Sequence, residues 1–208
     1  MTGTFLRALV LGFSVAAPVG PIGILCIRRT LAEGRAIGFA SGLGAASADT
    51  VYGLAAGVGL AAFSTAIAAV DAPMRLAGGL YLGWLGLRTF RAPPASEAAA
   101  GGAAALWGAW WSTLVLTLTN PATILAFAAM FATIVPAPGT GPAWALAPVL
   151  AGGVFLGSAA WWFLLSGLAD RMRSRLGPAH LAWVNRLAGV MLLGFAAWAL
   201  GSLALRAA

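Results

Sequence analysis

The chain has 208 residues, of which 61% are hydrophobic and only 8% are charged, and its mean hydropathy is +0.93. Soluble domains carry about 25% charged residues, so this composition excludes a water-soluble protein. The net charge is +7, and Cys26 is the single cysteine, which excludes an internal disulfide and a Cys-x-x-Cys redox pair.

Six apolar stretches fill almost the whole chain. A helix needs about 20 apolar residues to cross a bilayer, and the candidate stretches are 6–27, 37–63, 74–90, 105–135, 144–169 and 182–205. The alternating segments of about ten residues that build membrane barrels are missing. We therefore predict an all-α integral membrane protein with six transmembrane helices.

The first and fourth stretches contain residues that break helices. Pro18-Val19-Gly20-Pro21 lies inside the first, and Asn120-Pro121 lies inside the fourth. Each proline removes a backbone donor and clashes with the carbonyl four residues earlier, so we predict an interrupted helix in each half; the alternative is a kink stabilised by packing alone. Freed backbone groups must line a cavity. Half-helices that begin near Pro21 and Pro121 would point their positive ends at it, where a carboxylate would bind.

The second stretch carries one carboxylate, Asp49, near its middle. A charge at membrane depth costs roughly 2.5 to 3.5 kcal/mol on insertion scales, so this residue marks a polar pathway. Tyr52 lies three residues later on the same helix face. Away from water and cations a carboxyl group favours its neutral form, so Asp49 is predicted to exchange a proton or to face a substrate ammonium group. The alternative is a structural hydrogen bond to a neighbouring helix, for which Asn120 and Thr117 are candidate partners.

The twelve arginines are unevenly distributed. Nine lie in the connections that follow the first, third and fifth stretches, namely Arg28, Arg29, Arg35, Arg88, Arg91, Arg171, Arg173, Arg175 and Arg186. Because positive residues concentrate in cytoplasmic loops, these connections are predicted to be cytoplasmic, with both termini outside. The basic charge is thus explained by topology, and no nucleic-acid partner is predicted.

The two halves of the chain look like copies. Arg75-Leu76-Ala77-Gly78 opens the third stretch, and Arg186-Leu187-Ala188-Gly189 opens the sixth, 111 residues later. We predict a single transport domain made of repeat one over 4–91, a linker over 92–104 and repeat two over 105–206; chance matching of common residues is the alternative. Because each repeat holds an odd number of spans, the copies would be inverted, with a substrate site near the midplane.

Trp161 and Trp162 fall in the fifth stretch, at the place that matches the Tyr52 region of the first half. Tryptophans in membrane proteins are usually interfacial anchors, and we favour that role over lining the cavity. Glycine-rich helix faces permit close packing and would also permit a homodimer.

Several of these segments resemble the signature of LysE-type exporters, a family that includes lysine, threonine and homoserine exporters. The matching residues are Gly12, Ala17-Pro18-Val19-Gly20-Pro21, Leu31-Ala32-Glu33-Gly34-Arg35, Gly42-Leu43-Gly44, Asp49, Tyr52 and Leu118-Thr119-Asn120-Pro121-Ala122-Thr123. The resemblance implies a six-helix exporter in the bacterial inner membrane that moves amino acids outward, driven by the proton gradient. It maps the motif positions of the family onto Gly20, Pro21, Asp49, Asn120 and Pro121.

These features predict alternating access between two three-helix halves that hold a small zwitterion such as an amino acid. Asp49 would face the ammonium group or exchange a coupling proton, and the backbone at Gly20-Pro21 and Asn120-Pro121 would take the carboxylate, with Tyr52 beside them. No resident cofactor or metal site is expected. An enzyme is disfavoured, since no histidine lies in a span to serve as a base.

Two alternatives stay open. Members of the wider superfamily move metal ions, so a divalent metal-ion exporter is the first, although the spans offer few of the ligands that such ions need. A non-transport membrane protein, either an enzyme or a receptor-like protein, is the second.

Overall fold

The computed structural model describes residues 2–18, 20–58, 60–93, 102–120, 123, 126–127, 146–173 and 175–207. The regular elements in these ranges are helices: α1 (Thr2–Ala16), α2 (Pro21–Glu33), α3 (Arg35–Val58), α4 (Leu60–Arg91), α5 (Ala103–Leu118), α6 (Ala147–Arg173) and α7 (Pro178–Ala207). The prediction of an all-α fold is confirmed for this part of the chain.

The first predicted span is broken, as expected. α1 ends at Ala16, α2 begins at Pro21, and the two axes are bent by 76°. Pro21 occupies the first turn of α2, where its missing N–H removes no hydrogen bond from the helix. α2 continues to Glu33, beyond the predicted end at residue 27, so Arg28 and Arg29 lie in a helix and not in a loop as expected.

Gly34 joins α2 to α3. Its φ of 98° lies in the left-handed region, which side chains disfavour, and its N–H donates to the carbonyl oxygen of Thr30 over 3.0 Å. This glycine ends α2 and allows α3 to begin at the next residue.

Not every predicted span appears as a full-length apolar helix. Among the described residues, α6 and residues 179–203 of α7 are each long and apolar enough to cross a membrane, and so is the bent pair of α1 and α2. α5 is apolar but has only 16 residues. In α3 the arginine, the aspartate and many small residues dilute the apolar content. The six-span inverted repeat therefore stays a prediction.

Helices from the two predicted repeats interlock. α1 packs along α6, α3 packs against both α5 and α6, and α4 packs along α7. Glycines make these approaches close, because a Cβ on Gly157 of α6 would overlap the carbonyl oxygen of Leu9, and one on Gly44 of α3 would overlap that of Trp110. The helices of the two predicted repeats thus pack into one bundle, and alternating access between two three-helix halves stays a prediction.

Hydrogen bonds connect several helix ends at one end of the bundle, which we call the linker end. Arg28 on α2 donates to the side-chain oxygen of Asn185 on α7 over 3.3 Å, and Asn185 donates to the carbonyl oxygen of Ala92 over 3.4 Å. Arg173 at the end of α6 donates to the carbonyl oxygen of Leu31 over 2.9 Å. These bonds bring the ends of α2, α4 and α6 and the start of α7 together.

The outer surface of the bundle is apolar. Val10, Trp107 and Trp183 are each more than 60% exposed, whereas Thr113 and Ser158 are fully buried. An extensive exposed apolar surface indicates contact with a membrane or a partner protein. Because the whole chain is also apolar in composition, we attribute this surface to contact with lipid.

Candidate functional site

Asp49 lies on the wall of a cavity of about 260 Å³. It is 3% exposed, in the middle of α3. The described residues on the wall are Val15, Ala16, Pro18, Gly20, Pro21, Ile22, Gly23, Ala45, Asp49, Thr117, Asn120, Thr123, Ala126, Trp162 and Phe195. Sites for drug-sized ligands occupy about 300 to 1,000 Å³, so this cavity suits a small metabolite.

A chain of hydrogen bonds fixes the Asp49 carboxyl group. Ser158 on α6 donates to Asp49 Oδ2 over 2.7 Å, and Trp162 Nε1 donates to the Ser158 hydroxyl over 3.0 Å. Ser158 and Trp162 are four residues apart, so both lie on the face of α6 that meets α3. One oxygen of the carboxyl group is therefore held by protein, while the group remains part of the cavity wall.

The broken first span presents a helix N-terminus to the same cavity. Gly20 caps α2 with an extended backbone, and Pro21, Ile22 and Gly23 of its first turn line the wall. The first backbone N–H of α2 with a helical partner is that of Ile24, which bonds to the Gly20 carbonyl over 3.1 Å. The N–H groups of Ile22 and Gly23 precede it and have no partner within the helix. They give this side of the cavity a partial positive charge.

The end of α5 forms another side of the cavity. α5 ends at Leu118, and Asn120, which is buried, lines the wall two residues later. Tyr52 Oη donates to the carbonyl oxygen of Leu118 over 2.9 Å and to that of Thr117 over 3.3 Å. Tyr52 therefore binds the last carbonyl groups of α5, although its own side chain does not line the cavity.

The structure brings most of the predicted site residues together. Asp49, Gly20, Pro21 and Asn120 line one cavity, and Tyr52 contacts its wall from behind. Pro121, the remaining predicted residue, lies outside the described residues.

Asp49 does make a hydrogen bond to a neighbouring helix, but its partner among the described residues is Ser158 on α6 and neither of the two named candidates, Asn120 and Thr117. One expectation about a neighbour of Asp49 was wrong. Trp162 is not an interfacial anchor, because it is 4% exposed and lines the cavity. Trp161 is half-buried and packs edge-on against Phe13, with ring centroids 5.4 Å apart.

Sequence reasoning missed Ser158 and Arg29. Serine is common in apolar stretches, so Ser158 does not stand out by its residue type. The one signal that favours it is its separation of 109 residues along the sequence from Asp49, which is close to the offset between the two predicted repeats. Arg29 was assigned to a loop, although its guanidinium is directed between α3 and α5.

A second cavity of about 470 Å³ adjoins the first and shares Pro21, Asn120 and Phe195 with it. Its other walls, which include Leu82, Met191 and Trp198, are almost entirely apolar. Within the described ranges, no group of three or more His, Cys, Asp or Glu side chains is placed to hold a metal ion.

Comparison with known proteins gives a consistent result. The family model described as "LysE type translocator" matches residues 13–202. The "Putative amino acid efflux protein YcgF" of Bacillus subtilis is 30% identical over 195 residues, which cover 92% of each chain. The "Chemotactic transduction protein ChpE" of Pseudomonas aeruginosa is 30% identical over 210 residues, which cover 98% of this chain and 100% of that one. No solved structure was found to match the chain.

Proposed function

Since the chain belongs to the LysE-type translocator family and is a multi-pass membrane transporter, we propose that it exports small amino acids or related zwitterionic metabolites. In this proposal the substrate binds in the cavity beside Asp49, export proceeds by alternating access, and protons moving inward drive it. The name of the Bacillus subtilis relative, which describes amino acid efflux, supports the choice of substrate.

The observation that carries the proposal is the opposite polarity of two walls of one cavity. Asp49 supplies a carboxyl group on α3, and the first turn of α2 supplies N–H groups that have no partner within the helix. An α-amino acid has an ammonium group and a carboxylate on the same carbon, so it matches both walls at once. Helix N-termini bind carboxylates through such N–H groups, and Asn120 adds a neutral amide beside them.

Proton coupling in this proposal follows from competition for Asp49. A buried carboxylate that loses the ammonium group of its substrate is left without a counter-charge, which is costly in a medium of low polarity. Taking up a proton removes that cost. Release of substrate outside and protonation of Asp49 are therefore linked, and the proton returns inward with the empty transporter.

The moving parts follow from the helix packing. Close glycine contacts join α1 to α6, α3 to α5 and α4 to α7, and α4 makes few contacts with helices other than α7. We therefore assign alternating access to a displacement of the α4 and α7 pair relative to the other helices. The first helix of each predicted repeat packs against the middle helix of the other, since α1 packs along α6 and α5 packs against α3. This exchange supports an inverted repeat, with repeats over 4–91 and 105–206.

The orientation in the proposal is that of a bacterial inner-membrane protein with both termini outside. At the linker end Arg28 bonds to Asn185 and Arg173 bonds to the carbonyl oxygen of Leu31. The excess of positive charge in these connections supports a cytoplasmic location for that end.

Transport by the purified chain tests this function. Full-length protein is reconstituted into liposomes loaded with an equimolar mixture of the twenty standard amino acids, and efflux is followed by mass spectrometry with the outside at equal or lower pH. We expect faster efflux of at least one small amino acid when the outside is acidic. Asp49→Asn should remove this dependence on the pH gradient, whereas Asp170→Asn, which neutralises an acid outside the cavity wall, should keep it. Efflux no faster than from protein-free liposomes contradicts the proposal.

Signal transduction is the second candidate function, because the relative in Pseudomonas aeruginosa is named for chemotactic transduction. The same reconstitution separates the two functions. A signalling protein would bind an amino acid without accelerating its efflux.

A further inference from the structure

Arg29 holds a positive charge inside the bundle with only neutral partners. Its Nη1 donates to Ser41 Oγ over 2.8 Å and to Thr113 Oγ1 over 3.0 Å, and its Nη2 donates to Ser112 Oγ over 2.9 Å. Nη1 also donates to the carbonyl oxygen of Ala109 over 3.1 Å. In the described part of the chain the one salt bridge is that of Arg28 with Glu33, so no carboxylate lies within 4 Å of Arg29.

The hydroxyl groups around Arg29 act only as acceptors towards it. Ser41 directs its own proton to the carbonyl oxygen of Ile37, and Ser112 and Thr113 direct theirs to that of Ala109. These groups satisfy the N–H donors of the guanidinium but do not neutralise its charge. A partly buried cation without a counter-ion is a site prepared for an anion.

Arg29 and the hydroxyl groups around it lie about one helical turn from the Asp49 cavity, towards the linker end. Thr117 and Ala45 line the cavity, and Thr113 and Ser41 precede them by four residues on α5 and α3. Four residues are about one helical turn, or roughly 5.4 Å along the axis. Arg29 thus lies between the cavity and the linker end.

We propose that Arg29 is a first binding site for the carboxylate of the substrate, occupied on the way from the linker end to the cavity. This inference rests on the proposed function. A guanidinium binds a carboxylate through two parallel hydrogen bonds, and the incoming carboxylate takes the place of the hydroxyl groups of Ser112 and Thr113. The ammonium group of the same molecule then lies on the side of the cavity, towards Asp49. When no carboxylate is present, the hydroxyl groups hold the guanidinium between α3 and α5.

The consequence is selection for a carboxylate before the substrate reaches the cavity. An amino acid amide has the same side chain and the same ammonium group but no carboxylate, so it gains nothing from Arg29. Hydrogen bonds to charged groups imply a preference of roughly 10- to 100-fold for the acid over its amide.

Transport of matched acids and amides provides the first test. Liposomes containing the full-length protein are loaded with the twenty amino acids and their amides, and initial efflux rates give a ratio of acid to amide for each side chain. Arg29→Gln should lower this ratio at least about tenfold by slowing the acids and not the amides. Arg28→Gln is the matched control, since it removes the same charge from the next residue, whose partners are Glu33 and Asn185, and it should leave the ratio unchanged. If Arg29→Gln slows acids and amides equally, Arg29 only holds the helices together and the inference is wrong.

Binding to the protein in maltoside micelles provides the second test, which does not depend on transport. The Nε–H resonance of Arg29 is assigned by its loss in Arg29→Lys, and sodium acetate is titrated against sodium chloride at equal ionic strength. We expect a saturable shift with acetate and none with chloride or with acetamide. Because the micelle contains no phosphate groups, a lipid headgroup cannot produce the shift. Acetate binding without any efflux would refute the exporter and keep the site, whereas the absence of a saturable shift would refute the site.

Discussion

Ser158 on α6 donates a hydrogen bond of 2.7 Å to Asp49 on α3, and both side chains are buried. Within the described part of the chain, this serine is the hydrogen-bond donor to the carboxyl group. It joins the acid of the first predicted repeat to a helix of the second, so the position of Asp49 depends on the contact between α3 and α6.

Replacing Ser158 by alanine should destabilise the protein. A buried polar group left without its partner costs about 1 to 3 kcal/mol, and the free energy of unfolding of the purified protein measures the loss. Ser14→Ala is the control, because Ser14 is exposed on α1 and surface changes usually stay within about 0.5 kcal/mol. Equal effects of the two substitutions would show that the bond to Asp49 contributes nothing.

Replacing Trp162 by phenylalanine should slow transport more than the same change at Trp161. Trp162→Phe removes the N–H that bonds to Ser158 and enlarges the cavity next to Asp49. A lost hydrogen bond of about 0.5 to 1.5 kcal/mol corresponds to a change of roughly 2- to 10-fold in initial efflux rate. Trp161→Phe keeps an aromatic ring against Phe13 and should leave the rate nearly unchanged. The opposite order would mean that Trp161 is the residue nearer to the substrate.

Replacing Tyr52 by phenylalanine should loosen the end of α5. The change removes the hydroxyl that bonds to the carbonyl oxygens of Thr117 and Leu118 but keeps the ring, whose centroid is 5.3 Å from that of Phe127. We expect a loss of about 0.5 to 1.5 kcal/mol in the free energy of unfolding. Amide hydrogen exchange should increase at residues 115–120. Tyr81→Phe is the matched control, and a loss of the same size there would argue against a specific role for Tyr52.

Replacing Gly42 by alanine should displace Trp162. A Cβ on Gly42 would overlap the Cβ of Trp162, and overpacking of this kind costs about 1 to 3 kcal/mol. Gly108→Ala provides the comparison, since a Cβ there meets nothing within 4 Å and should be neutral or stabilising by up to about 1 kcal/mol. Thermal unfolding and intrinsic tryptophan fluorescence report both effects. An unchanged melting temperature for Gly42→Ala would show that α3 and α6 separate easily at this point.

The parts of the site that could be predicted are those with strong local causes. Prolines disturb a helix wherever they occur, so the break before Pro21 could be placed from the sequence. A single acid in an apolar stretch is equally conspicuous, and Asp49 does line a cavity. Both inferences need no knowledge of which helices are neighbours.

The parts that could not be predicted depend on contacts between distant segments. Ser158 and Trp162 become site residues only because α6 packs against α3, and neither residue type is unusual in a membrane helix. The positive-charge pattern predicts a loop at Arg29, whereas α2 extends through it to Glu33, and the helix packing that surrounds it leaves no local signal in the sequence. The interlocking of the halves follows from close glycine contacts such as that of Gly157 with Leu9, which a repeat offset does not reveal.

Asp49 is the one ionisable side chain on the described wall of the 260 Å³ cavity, and this sets an energetic ceiling if protons drive export. One carboxyl group carries one proton per cycle, and one charge crossing 100 mV releases about 2.3 kcal/mol. With about 1.36 kcal/mol for each tenfold step, the potential alone sustains roughly a 50-fold excess of substrate outside, and each unit of pH difference across the membrane adds about a further tenfold. A stoichiometry of one proton per substrate suits the export of a metabolite that is abundant in the cell better than the export of one that is present only at trace concentration.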